Sequence, residues 1–409
     1  MSETTTLFEQ VDDASAALRS NLLRKAKRVV VKVGSAVLRD ANGRLHHDWV
    51  RQLIAQIAQL RAEGKEVLLV SSGAVGSGLD VMKTTQPHLA HHQSLPDKQA
   101  LAALGQSRLV EAYRQAFAEH KLEVAQVLLS RHDMNDMRRY TNARMTLERL
   151  LEWGVVPIIN ENDTTATEEL NLGDNDELSA IVGRKMLADL VVIITTAPGV
   201  MTADPRVDES ATLIPTLKNI DGEKVHEMEV PPDSGGRGGI RSKLLAASLA
   251  AEGGVYTLIV PGTTVGDLAA LARGEKSEGT LILPDDGPRP NPIRRFLKTH
   301  QVTNECGRVM INDGAAQALQ QRGASLLPVG VVHVRGQFEA GDVVVIENAA
   351  AGGEVARGIA RYSSAAITRI KGRQSPEIAG ILGYDAGKEV VHRDFMLLAT
   401  DAVEESAAK

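Results

Sequence analysis

The chain has 409 residues, 43% hydrophobic and 24% charged, which is too long for one ordinary domain and describes two or three with full-sized cores. A formal charge of −6 argues against a general nucleic-acid or anionic-membrane binder, because both need a basic surface. The single cysteine, Cys306, excludes an internal disulfide and a cysteine-rich zinc site, and it fits a reducing, cytoplasmic compartment as a small buried hydrophobe. No run approaches ~18 consecutive apolar residues, so no transmembrane helix is expected. Aromatic residues are only 3%, so Ala, Val, Leu and Ile must build the core, which favours helices on a buried parallel sheet.

Residues 1–27 carry Glu3, Glu9, Asp12 and Asp13 before any basic residue and have no apolar signal core. They read as a short, helix-prone extension rather than a secretory signal or transit peptide. From Arg28 onward strands and helices alternate. Arg28–Val33 is a buried strand, followed by a helix over Asp48–Ala62 with Val50, Leu53, Ile54, Ile57 and Leu60 on one face and Gly64 at its end. Glu66–Ser71, Val124–Leu129, Val155–Ile159, Leu190–Thr195 and Val255–Val260 are the next apolar runs. This alternation predicts a three-layer α/β/α sandwich around a mainly parallel sheet over 28–285. The proline-rich stretch over 286–295 reads as a linker. Beyond it, short strand-like runs separated by glycine turns predict a small β-rich domain over 296–400, and 401–409 is a tail. From Phe296 to the end, 12 Lys and Arg stand against 13 Asp and Glu, so this part is nearly neutral.

Ligands of open α/β sheets bind at the carboxyl ends of the strands, and the glycine and polar clusters fall there. Lys32 lies inside an apolar strand just before Gly34; it either meets an anion over the sheet rim or snorkels to solvent. Ser71–Gly78 is a strand running into a glycine-rich turn, suited to an anion at a helix N-terminus or simply a tight turn. It is not a nucleophile elbow, and no Walker lysine motif occurs in the chain. After the strand Val155–Ile159, Asn160, Glu161, Asn162 and Asp163 offer a carboxylate for an ammonium and amides for a carboxylate, or an Asx-rich turn. Asp174 reads as the N-cap of a helix reaching Ala188, whereas Asp176, one turn in, is placed to orient lysines or a metal. Ser234–Lys243, with Arg237, Arg241 and Lys243 among four glycines, is an anion cradle or a flexible loop before a helix over Leu244–Glu252. His88, His91 and His92 have metal-like spacing but sit between Pro87 and Pro96 without acidic companions, so they read as loop residues and no protein metal site is expected.

These motifs resemble those of the glutamate 5-kinases, a branch of the amino-acid kinase family. The matching stretches are VVKVGSAVL, SSGAVGSG, LPDKQALAALGQSRL, INENDTTAT, LGDNDELSA, TADPR and the loop ending in Ser242-Lys243. After the linker, GASLLPVGVVHVRGQF, ARGIARYSS, ILGYDAG and VHRDFM look like a PUA domain. The resemblance implies transfer of phosphate from ATP, with Mg2+, to the γ-carboxylate of L-glutamate, the first step of proline biosynthesis. It assigns catalysis to Lys32, Lys243 and Asp176, with Asp176 holding the two lysines. Glutamate falls to Ser72, Asn160, Asp163 and Asn175. ATP falls to Lys32, Thr195, Thr196, Arg237, Gly238, Gly239, Ser242 and Lys243. The sequence differs from the family pattern in having Thr196 where an Asp is usual, and Arg237, Ile240 and Ser242 in place of Thr, Met and Thr. The implied partners are L-glutamate, a glutamyl phosphate reductase receiving the product, and further copies of the chain. A competing reading is an RNA-binding or regulatory protein with a kinase-like domain, which the near-neutral tail weakens.

Overall fold

Hydrophobic runs with β-branched residues on both faces form the centre of a large sheet, as continuous burial requires. In the computed structural model, residues 9–10, 15–86, 94–165, 175–227, 239–284, 291–299, 307–384 and 386–400 are described. The chain divides into two units, Met1–Arg289 and Pro290–Lys409. In the first, the strands are β1 (Glu9–Gln10), β2 (Arg28–Val33), β3 (Glu66–Ser71), β4 (Val124–Leu129), β5 (Val156–Glu161), β6 (Leu190–Thr195), β7 (Thr216–Lys218), β8 (Tyr256–Pro261) and β9 (Thr280–Ile282). Their order is β1-β7-β9-β8-β6-β2-β3-β5-β4. The run β8-β6-β2-β3-β5-β4 is parallel throughout, and β9 joins it antiparallel to β8. The mainly parallel α/β architecture is therefore observed, with the sheet packed between helices.

The helix His47–Ala62 buries Val50, Leu53, Ile54, Ile57 and Leu60 together, and Gly64 follows it at φ 82°, a left-handed conformation that suits glycine. On another part of the sheet, the helices Ala74–Thr85 and Leu95–Ala118 approach at Gly78 and Gly105. A Cβ at Gly78 would overlap the Leu101 backbone, and one at Gly105 would overlap Ala74 and Gly78 backbone. This contact holds the glycine-rich turn against the long helix.

Several boundaries differ from expectation. β5 runs on through Asn160 and Glu161, which are ladder residues opposite Leu128 and Leu129 rather than a free turn. The helix after the basic loop is Ile240–Ala251, so Arg241, Ser242 and Lys243 belong to its first turn. The extension forms a helix, Ser15–Lys25, whose Leu23 enters the main core and whose Arg19 donates to the Pro215 carbonyl at 3.0 Å. A helix, Pro292–Thr299, begins inside the stretch expected to be linker. Asn291 Oδ1 accepts from the Ile293 and Arg294 amides at 3.0 and 3.3 Å, and Pro292 has no amide to satisfy, so this Asn-Pro pair starts a helix.

The second unit holds β10 (Gly307–Ile311), β11 (Val331–Arg335), β12 (Val343–Asn348), β13 (Glu354–Ile359) and β14 (Met396–Leu398) in the order β11-β10-β12-β13-β14. Gly307, Val309 and Ile311 of β10 are buried while Arg308 and Met310 are less so, the period-two pattern of a sheet with one covered face. Val344, Ile346, Tyr362 and Ile367 complete its core. Among the described residues, no helix is long and apolar enough to cross a membrane.

Candidate active site

The carboxyl ends of β2, β3, β5 and β6 meet the N-terminal turns of three helices, and the expected residues gather there. Lys32 points to the opposite side of β2 from Val31 and Val33, and its side chain is only 3% exposed. Its ammonium pairs with Asp176 Oδ1, on a side chain that is fully buried in the first turn of the helix Asn175–Lys185. Lys243, 5% exposed, reaches Asp176 Oδ2 at 3.1 Å from the first turn of Ile240–Ala251. Ser242 Oγ donates to the same Oδ2 at 3.0 Å. Two ammoniums share one carboxylate, leaving a net positive charge out of water. Ions this deeply buried cost several kcal/mol each in desolvation, so such a cluster is poorly explained as a stabilising device. It is well explained as a site awaiting an anion.

One residue before Asp176, Asn175 faces the other way. Its Nδ2 donates to Ser71 O at 2.9 Å, Ser72 Oγ at 3.0 Å and Asn160 Oδ1 at 2.9 Å. Asn160 Nδ2 in turn donates to Gln106 Oε1 at 2.6 Å. This buried polar ladder ties β3, β5 and two helices together, and it borders a cavity of about 280 Å³. At about 30 Å³ per water, the cavity holds roughly nine water volumes, enough for an amino-acid-sized ligand. Ser72, Asn160, Asp163 and Asn175 all line it. Gly73 sits at φ 106°, a conformation open to glycine, and turns the chain into the helix Ala74–Thr85 so that its first amides face the cavity rim. Burial first, and the charge of Glu161 second, push the Asp163 carboxyl up to about 6. A cation beside it would offset both causes by favouring the ionised form.

Of the residues expected to meet the nucleotide, Thr195 closes β6 and is buried, while Thr196 just beyond it is exposed. β2 and β6 run in register, Lys32 beside Ile193 and Val33 beside Ile194, so Thr195 follows next to Gly34 at the strand ends. Gly34 donates its amide to the Ile194 carbonyl at 3.3 Å, which carries the pairing one residue past the end of β2. A Cβ at Gly34 would stand 3.8 Å from Lys32 Nζ, and glycine keeps the approach to that ammonium clear. Gly239 is the N-cap of Ile240–Ala251 and makes no side-chain cap, which leaves first-turn amides beside Ser242 and Lys243 for phosphate oxygens. Arg237 and Gly238 lie outside the described residues, as do Asp174, His88, His91, His92 and Cys306. Among the described residues, no cluster of three His, Cys, Asp or Glu is arranged to hold a metal.

Sequence reasoning missed Gln106 and Arg39 as participants. Gln106 was detectable in principle: it falls on the buried face of its helix with Ala102, Leu109 and Tyr113, where a glutamine needs a polar partner. Ser71 Oγ lies 2.9 Å from the hydroxyl of Tyr113, whose phenol is pushed up by burial. Arg39 carried no local signal, since the helix it lies against is distant in the chain.

The amino acid kinase family profile matches residues 27–261, and the PUA domain profile matches residues 307–382. A glutamate 5-kinase from Pelobacter propionicus is 43% identical over 384 residues, spanning 93% of this chain and all of the relative. One from Meiothermus ruber is 43% identical over 375 residues, spanning 92% of this chain and 96% of the relative. Among solved structures, a UMP kinase from Bacillus anthracis superposes with a TM-score of 0.45 at 18% identity, over 64% of this chain and 98% of its own.

Proposed function

The chain belongs to the amino acid kinase family, in its glutamate 5-kinase branch, and from that premise we propose how its site transfers phosphate from ATP to the γ-carboxylate of L-glutamate. The observation that carries the reading is the buried Lys32–Asp176–Lys243 cluster, one residue along the helix from the cavity-lining Asn175. A γ-carboxylate oxygen attacks the γ-phosphorus of ATP, the bond to the bridging oxygen breaks, and ADP leaves as L-glutamyl 5-phosphate forms. No base is needed, because a carboxylate is already ionised at neutral pH. What the reaction needs is neutralisation of two approaching anions and charge stabilisation in the transition state. Lys32 and Lys243 supply it, and Asp176 fixes their positions. One charge at about 4 Å in an effective dielectric of ~20 is worth about 4 kcal/mol, or roughly a thousandfold in rate when felt only in the transition state.

Ser72, Asn160 and Asn175 hold the acceptor and Asp163 receives its ammonium. Thr195, Thr196, Arg237, Gly238, Gly239 and Ser242 surround the nucleotide. Both Asp176 oxygens are engaged by lysines and Ser242, and no acidic cage stands beside them among the described residues. This donor set fits a Mg2+ that would arrive with the nucleotide rather than sit in a protein cage, and when bound it would shield phosphate charge. The RNA-binding alternative is not favoured, given the family match and the nearly neutral second unit. An acyl phosphate is prone to hydrolysis, so a hand-off to glutamyl phosphate reductase in the cytoplasm, from a homo-oligomer, completes the proposal. A coupled assay of ADP release with glutamate, N-acetylglutamate and aspartate tests it: turnover is expected with glutamate alone. Equal turnover without an acceptor, or preference for another one, overturns the reading.

A further inference from the structure

Of the described residues lining the 280 Å³ cavity, Glu161 and Asp163 are anionic and Arg39 is the one cation. Arg39 enters from the turn after β2 and lies along the first turns of the helix Ala74–Thr85. A Cβ at Gly76 would collide with its guanidinium, so the absence of a side chain there is what seats it. Its Nη1 donates to the Gly43 carbonyl and lies 3.4 Å from Asp80 Oδ1, one helical turn beyond Gly76. At that separation Asp80 neutralises it only loosely, and Asp80 is itself pushed up by burial more than Arg39 brings it down. Both contacts are made by Nη1, so the donors of Nη2 and Nε, which lie against Gly76 in the cavity lining, remain for a ligand.

An α-amino acid is a dipole of matching sense. With the γ-carboxylate directed to the lysine pair and the ammonium to Asp163, the α-carboxylate, on the same carbon as the ammonium, needs donors within the same cavity, and Arg39 and the first residues of Ala74–Thr85 line it. We propose that Arg39, seated on Gly76, is a specificity-determining residue that binds the acceptor's α-carboxylate; this deepens the reading above and rests on it. The recognised chemistry is an α-amino dicarboxylate, and acceptors lacking the α-carboxylate are discriminated against.

Steady-state kinetics on Arg39→Met, Gly76→Ala and the double variant test the assignment in the full chain. A lost charge-assisted contact raises the KM for glutamate about 10- to 100-fold. The KM for ATP stays within about twofold. Gly76→Ala displaces the guanidinium and gives a rise of the same sense with Arg39 still present, and the double variant is no worse than the poorer single one. A purely structural Arg39 predicts something else: a lowered melting temperature and equal losses for both substrates, which overturns the proposal. So does an unchanged glutamate KM in Arg39→Met. Failure of the wild type to turn over glutamate at all instead sinks the underlying kinase reading, so the two failures are told apart by the parent enzyme.

Discussion

At the proposed phosphoryl end of the site two cations converge on one carboxylate, whereas at the proposed acceptor end the described residues that line the cavity include two carboxylates and one arginine. The first end is buried and interlocked before any ligand arrives. The second has its charged groups Arg39, Glu161 and Asp163 only partly buried, and the Asp163 carboxyl is held up near 6 by burial and by Glu161. The difference matches what each end receives. Transition-state charge is best met by groups already fixed in place, since reorganising them costs energy at the moment of reaction. A zwitterionic acceptor brings its own counter-charges, so its end of the site can remain less interlocked until it binds.

The largest expected effect lies at the phosphoryl end. Lys243→Ala should lower kcat by about a thousandfold while the protein stays folded, as checked by single-turnover kinetics and circular dichroism. Near-normal turnover would remove Lys243 from catalysis. Asp176→Asn probes the interlock itself, because it leaves two buried ammoniums without their carboxylate. Breaking a buried pair in this way costs about 3–5 kcal/mol, so chemical denaturation should show a large loss, and an unchanged midpoint would mean the lysines do not depend on Asp176.

The acceptor end should instead show its character in pH. Asp163 binds an ammonium only when ionised, and its raised pKa means the protonated form gains below about 6. The kcat/KM for glutamate should therefore fall about tenfold per pH unit below that point. Asp163→Asn should lower the plateau and flatten the slope; a slope that survives in the variant belongs to another group. The smallest effect concerns the scaffold behind this end. Gly105→Ala forces the two helices apart and should cost about 1–3 kcal/mol of stability, with the KM for glutamate rising more than the KM for ATP.

Much of the phosphoryl end is legible in the sequence because its logic is local. A lysine in an apolar strand before glycine is an anomaly that a linear reading can see, and an acid in the first turn of a helix is a placed charge it can find. Their meeting is carried by resemblance, since Lys32 and Lys243 are far apart in the chain. The acceptor end is legible only in part. Ser72, Asn160 and Asn175 sit at strand ends or helix starts, where polar residues stand out. Arg39 and Gln106 do not, because each acts through a neighbour supplied by another element: Gly76 for one and Asn160 for the other. Of the sheet, the long parallel strands can be read from their apolar runs, but β7 and β9, three residues each, are too short to show a period. The start of the helix Ile240–Ala251 escapes a linear reading because its first turn is basic and glycine-flanked, which reads as loop until its packing is known.

Asn175 and Asp176 are consecutive on one helical turn, yet one grips Ser72 and Asn160 while the other grips the two lysines. Successive side chains on an α-helix are splayed by about 100°, so this pair works as a rigid set-square between the two halves of the reaction. The span from acceptor to phosphoryl group is thus gauged by a single peptide unit, the stiffest ruler a polypeptide can make.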